Sequence, residues 1–239
     1  MLLGVIRDLF AGRSLSYTFD EILTMILAAV IVIFFTLPIH EWAHGFVSTK
    51  LGDPTPRMQG RLTLNPMAHI DWIGAISILL VGIGWAKPVQ VNARYYKYPK
   101  WGMALTALAG PLSNLIVAFL FVILFNLIAC ITIATNIYGD WYDIVRVFGL
   151  FAGNVAMINV YLAVFNLIPV PPFDGSRILF TILPQKYYFK IMQYEQFIFI
   201  GVFVLLCSGV LSSAISDIAI SVYDSIGYIA SLPFTLLGV

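Results

Sequence analysis

Between Glu21 and Lys50 the chain is apolar or uncharged except for His40, Glu41 and His44, which stand together in LPIHEWAHGF. At about 1.5 Å per residue, a helix of this length crosses a bilayer core of about 30 Å with some to spare. An ionisable side chain deep in such a span costs on the order of 2.5 to 3.5 kcal/mol, so three side by side call for a compensating function. The rest of the chain agrees with a membrane setting. Of 239 residues, 60% are apolar and 10% charged, against about 25% charged in a soluble domain. Too few polar groups remain to cover a globular surface, and a net charge of +1 gives no sign of a nucleic-acid partner.

Residues 1–20 are mixed in polarity and read as an amphipathic segment on the membrane surface. The first span covers residues 22–48. It is too long for a signal-peptide core and lacks a convincing cleavage site, so it is expected to be retained. Residues 50–100 switch to turn chemistry, and the alternation in GRLTLN, Gly60 to Asn65, predicts a small membrane-associated β-hairpin. Trp72 to Ala86 is apolar but only about 15 residues long, which predicts a re-entrant or interfacial segment rather than a crossing. Further spans are expected over 101–134, 147–170 and 195–216, with 225–239 on the surface or partly re-entrant. Cys130 and Cys207 lie in apolar runs and read as packing thiols. Seven Lys/Arg between Lys50 and Lys100, and three between Arg177 and Lys190, contrast with the acidic or neutral surroundings of Asp140, Asp217 and Asp224. That asymmetry places the two basic regions on the cytoplasmic side. The expected fold is an all-α polytopic membrane protein, a single domain over 1–239 with about four transmembrane helices.

Two histidines four apart lie on one helix face, where both imidazoles reach a single metal ion, and the glutamate between them can take a proton from the attacking water. A catalytic zinc site wants three protein ligands and one open position. Two residues could supply the third. His69, in NPMAHID, is one, although a lone histidine near an interface more often serves as a polar anchor. Asp174, in NLIPVPPFDG, is the better placed: it follows the third span, on backbone that Pro171 and Pro172 keep out of a helix. Charge asymmetry puts it at the same membrane side as His44. Asn114 and Asn166 either bond across helices or face the site. The small residues Ala104, Ala107, Ala109 and Gly110 read as a helix-packing face, and Pro38 either kinks the first helix and opens room beside His40 or is a tolerated membrane proline.

HEWAHG, AGPLSN at 109–114 and NLIPVPPFDG at 166–175, in this order on membrane spans, resemble the site-2 protease family of intramembrane zinc metalloproteases. GRLTLNPMAHID and GWAKPV are similar to the short, bacterial-type members without regulatory domains. The resemblance implies one zinc ion per chain held by His40, His44 and Asp174, with Glu41 as general base. It also implies that Asn114 and Asn166 face the site, and that Gly60, Arg61, Leu62, Thr63, Leu64 and Asn65 guide the substrate. The expected activity is hydrolysis of peptide bonds within or near transmembrane segments of single-span membrane proteins. The expected location is the bacterial cytoplasmic membrane, with the lipid bilayer as partner and the site toward the cytoplasm. Phe173 departs from the leucine common before the Asp-Gly pair, an apolar-for-apolar exchange. Two rivals are a different HExxH lineage, whose later glutamate would have to be Glu195, and a non-catalytic membrane protein that binds metal or transmembrane helices.

Overall fold

The computed structural model describes residues 18–236 except 82–83, 136–137, 180, 184 and 209. Nearly all of the amphipathic segment expected over 1–20 lies outside the described residues. Helix α1 (Phe19–Ile31) opens with a capping box: Thr18 N–H donates to Glu21 Oε2 at 2.8 Å, and Glu21 N–H donates back to Thr18 Oγ1. These bonds satisfy N–H groups that the first helical turn leaves without partners. Pro38 then disturbs the regular helix. It has no N–H, and its ring collides with the carbonyl four residues back. The chain widens into a π turn over Val32–Thr36, in which Leu37 N–H reaches the Val32 carbonyl, before α2 (Leu37–Lys50) resumes.

Helices α5 (Pro99–Thr135) and α6 (Asp140–Asn166) form a long antiparallel pair. Phe19–Lys50, Pro99–Thr135 and Trp141–Asn166 are, among the described residues, the three helices long and apolar enough to cross a membrane. Lipid supplies no hydrophobic drive between helices, so their contacts rely on close packing of small side chains. Ala118 of α5 and Val160 of α6 meet Ala219, and Val122 and Ala156 meet Ala230 one layer along. Ala219 and Ala230 belong to the helix here numbered α10 (Val210–Leu236). It includes most of the segment expected to lie on the surface or partly re-enter, and packs along α5 and α6.

Between α2 and α5 come the short α3 (Thr55–Met58) and α4 (Trp72–Val81). Ile70, Ala75 and Ile78 pack on Ala29, Val32, Ile33 and Leu37 of the first span. Lys87 N–H donates to the His69 carbonyl at 2.7 Å, which ties the two ends of this segment together. At ten residues, α4 is about 15 Å long, half a bilayer core.

Two expected elements take another form in the structure. No strand occurs among the described residues, and Gly60–Asn65 runs as turn and bend. The polar residues of the stretch fold it locally: Asn65 N–H bonds to Thr63 Oγ1, and Met67 N–H to Asn65 Oδ1. Such side-chain bonds compete with a ladder. The expected span 195–216 is not one helix either. Helix α9 (Glu195–Cys207) ends at Ser208, whose Oγ bonds the Leu205 carbonyl, and α10 begins at Val210. A Ser-Gly pair is a turn signal that the apolar composition around it masks.

The rest of the chain comprises α7 (Asp174–Leu179) and α8 (Gln185–Met192), beyond the end of α6.

Candidate metal centre

His40 and His44 lie one turn apart on α2, buried, with ring centroids 4.6 Å apart and the rings nearly perpendicular. Their Nε2 atoms are 3.0 Å apart. Asp174, the first residue of α7, brings Oδ2 to 3.3 Å from His40 Nε2 and 3.1 Å from His44 Nε2. Three electron-pair donors thus converge on one point. Zinc with nitrogen and oxygen ligands at about 2.0 to 2.1 Å in a tetrahedron sets neighbouring ligand atoms about 3.3 Å apart. The observed spacings of 3.0 to 3.3 Å fit that figure. This is, among the described residues, the only group of three or more His, Cys, Asp or Glu gathered closely enough to hold an ion.

Local sequence makes the convergence possible. A Cβ on Gly110 of α5 would stand 2.3 Å from His44 Nε2 and 2.5 Å from His40 Cε1, so any side chain there would occupy the ligands' space. The small-residue face read as helix packing therefore includes the clearance for the two imidazoles. Gly175 does the same for Asp174: a Cβ would meet the Leu167 carbonyl at 2.2 Å, and only glycine lets the Asp-Gly pair close on the end of α6. Phe173 packs edge to face on Phe165 at 4.4 Å and pins the loop from its other side.

The imidazoles are held unequally. His44 Nδ1 lies 2.7 Å from the Thr106 carbonyl of α5. A carbonyl can only accept, so Nδ1 carries the proton and Nε2 presents its lone pair to the centre. His40 Nδ1 is buried with no hydrogen-bond partner among the described residues. Glu41 Oε2 accepts the Val89 N–H at 2.8 Å, which leaves its other oxygen free of that bond.

The remaining sequence candidates divide. Asn114 lies one turn beyond Gly110 on α5, 1% exposed, and neither its amide nitrogen nor its oxygen has a partner among the described residues. Asn166 closes α6, and its Nδ2 bonds back to the Leu162 carbonyl at 2.9 Å. His69 stands outside the three-ligand group. It is fully buried, and its Nε2 holds the Thr63 carbonyl at 2.8 Å, which gives it an anchoring role in the turn over 60–69. Gly60, Arg61, Leu62, Thr63, Leu64 and Asn65 do not join the ligands, although Leu62 Cδ1 lies 3.8 Å from where a Gly45 Cβ would stand, one residue past His44.

Sequence reading missed the Val89 amide and the Thr106 carbonyl, since backbone groups carry no residue signature. It also missed Asn159, fully buried on α6, whose Nδ2 reaches Thr36 Oγ1 in the π turn at 3.3 Å. An asparagine amid the apolar residues of a span was the available signal.

A helical membrane bundle that sets a His-Glu-x-x-His turn against an aspartate from beyond a later span defines an intramembrane zinc metalloprotease of the site-2 type. The chain belongs to peptidase family M50, whose sequence profile matches residues 28–208. It is 41% identical over 180 residues to a protein of Bacillus subtilis named "Putative zinc metalloprotease YwhC", a match covering 74% of this chain and 78% of that one. It is 27% identical over 201 residues to "Putative zinc metalloprotease Rip2" of Mycolicibacterium smegmatis, covering 80% and 71%. It is 28% identical over 157 residues to "Zinc metalloprotease MJ0392" of Methanocaldococcus jannaschii, covering 66% of this chain but 34% of that one. No solved structure gives a significant match.

Proposed function

We propose that His40 Nε2, His44 Nε2 and one carboxylate oxygen of Asp174 hold one zinc ion per chain, and that Glu41 is the general base for peptide-bond hydrolysis in single-span membrane-protein substrates. The observation that carries this reading is the convergence of three donor atoms at zinc-ligand spacing, beside a glutamate that is not one of them. When bound, the zinc ion supplies a Lewis acid that draws charge from the scissile carbonyl. The protein's own groups do the rest. Val89 N–H fixes one oxygen of Glu41, and the other takes a proton from the attacking water and passes it to the leaving amine. The Thr106 carbonyl keeps His44 in the tautomer that can ligate. Asn114, buried with an unpaired amide, has the hydrogen-bonding capacity to hold substrate backbone near the centre. Asn166, at the end of α6, is a second candidate for that task through its amide oxygen.

A helical substrate hides its carbonyls in its own hydrogen bonds, so it must unwind before it is cut, at several kcal/mol per unpaired group in lipid. The backbone groups of Leu62 and Leu64 have no partner among the described residues. They offer an unwound substrate a strand to pair with, and the hairpin forms when substrate is added. The three long helices cross together with a fourth passage built from α9 and the segment after it. The basic regions 50–100 and 177–190 then face the cytoplasm of a bacterial inner membrane, with the catalytic centre on that side.

Zinc content tests the ligand set. Detergent-purified protein is expected to carry about one zinc per chain, as three ligands and one open position imply. His40→Ala, His44→Ala and Asp174→Ala are expected to lose it, and His69→Ala to keep it. Full zinc retention in Asp174→Ala would overturn the assignment.

A further inference from the structure

Beyond the residues that could touch metal or substrate lies a run of buried polar groups that the reaction itself does not use. Asp53, in the turn after α2, is fully buried. Its Oδ1 takes the Thr55 N–H at 2.9 Å, and its Oδ2 takes the Ser48 hydroxyl at 2.8 Å and the Asn92 N–H at 2.7 Å. Ser48 Oγ lies 2.8 Å from the Tyr96 hydroxyl, which lies 3.1 Å from Thr106 Oγ1. Ser48 and Thr106 are fully buried, and Tyr96 is 5% exposed.

The direction of each bond comes from proton counting. An ionised carboxylate only accepts, so Ser48 spends its single proton on Asp53. Tyr96 must then donate to Ser48, and Thr106 to Tyr96. The result is a polarised chain, Thr106 to Tyr96 to Ser48 to Asp53, and the same Thr106 accepts the His44 Nδ1 proton at its carbonyl. A second route leaves Asp53 through Asn92. Three residues earlier in the same segment stands Val89, whose N–H holds Glu41.

We propose that Asp53 is a positioning residue for the metal centre: through Ser48, Tyr96 and Thr106 it sets His44, and through Asn92 and Val89 it sets Glu41, so that one buried carboxylate aligns ligand and base with each other. The proposal rests on the zinc-and-base reading above. A merely local turn needs only the bonds to Thr55 and Ser48. The leg through Tyr96 reaches across to the α5 residue that orients a ligand, and turn formation does not require it.

Hydroxyl deletions on that leg give the sharpest test, because they leave Asp53 and the turn intact. Zinc affinity is measured by chelator competition, kcat and KM on a membrane-embedded substrate, and Tm in detergent. Tyr96→Phe and Thr106→Val are each expected to weaken zinc binding and kcat by about 10- to 100-fold, the range for groups that support a metal ligand, with KM unchanged. The double variant is expected to be no worse than either single, since both cut one chain. Thr106→Ser keeps the hydroxyl and is expected to restore zinc affinity and kcat. Asp53→Asn cuts both routes and is expected to lower kcat further than Tyr96→Phe; should it not fold, the two hydroxyl deletions decide. A lower Tm with zinc affinity and kcat at wild-type values in Tyr96→Phe and Thr106→Val overturns this proposal alone. Absence of zinc from the wild-type protein overturns the metal reading, and this proposal with it.

Discussion

Alanine at position 110 sets two physical rules against each other. By helix propensity, Gly110→Ala stabilises α5 by about 1 kcal/mol. By geometry, the added methyl stands 2.3 Å from His44 Nε2 and forces the imidazole away from Asp174. The expected outcome is loss of zinc from a protein that still folds, read by metal analysis alongside the Tm of the metal-free form. Zinc retained at wild-type affinity would mean that the imidazoles have room to move. This scale also marks what a sequence can reveal. The two histidines were legible because a spacing of four is a helix face, and Asp174 because two prolines and a change of polarity flag its loop. The Thr106 carbonyl and the Val89 amide were not, because any residue type supplies them.

Among the elements, the turn between α2 and α3 carries a buried charge outside the spans. Burial alone would push the Asp53 carboxyl up, but hydrogen bonds from Thr55, Asn92 and Ser48 outweigh it and hold the group below its usual value of 3.8. A carboxyl depressed on folding contributes stability that is present above its unfolded-state value and is lost as pH falls through its folded-state value. Wild-type Tm in detergent is therefore expected to drop on acidification below about pH 4, where an unfolded aspartate is already about half protonated. In Asp53→Asn that component of the acid limb should be missing, with a lower Tm at neutral pH. An unchanged acid limb in the variant would contradict the depressed carboxyl. Asp53 escaped sequence reading because its partners Ser48, Asn92 and Tyr96 are scattered along the chain and none forms a motif with it. The turn over Gly60–Asn65 and the break at Ser208 were not legible for a different reason. Alternation and apolarity describe which face a segment can bury, and they say nothing of a Thr63 or Ser208 hydroxyl that bonds its own backbone.

At the scale of the whole molecule, the first half of α2, the first half of α5 and the chain just past α6 meet where the centre lies, as three alternating crossings would arrange them. Cysteines introduced near Asp140 are expected to react with an impermeant reagent added outside intact cells, and cysteines near Arg94 or Lys186 are not. Reaction at both Arg94 and Asp140 from one side would refute the proposed orientation. The composition made the membrane setting legible, and the three-motif resemblance made the chemistry legible. The number of crossings was less so, because α9 is apolar enough to cross but only 13 residues long. Base catalysis by Glu41 beside a bound zinc is tested most sharply with purified protein and a single-span substrate reconstituted together in liposomes, comparing wild type with Glu41→Gln. The variant is expected to retain one zinc per chain and to cleave about 10² to 10⁴ times more slowly, the worth of a positioned general base. Cleavage at the wild-type rate by Glu41→Gln, with its zinc in place, would contradict the proposed mechanism.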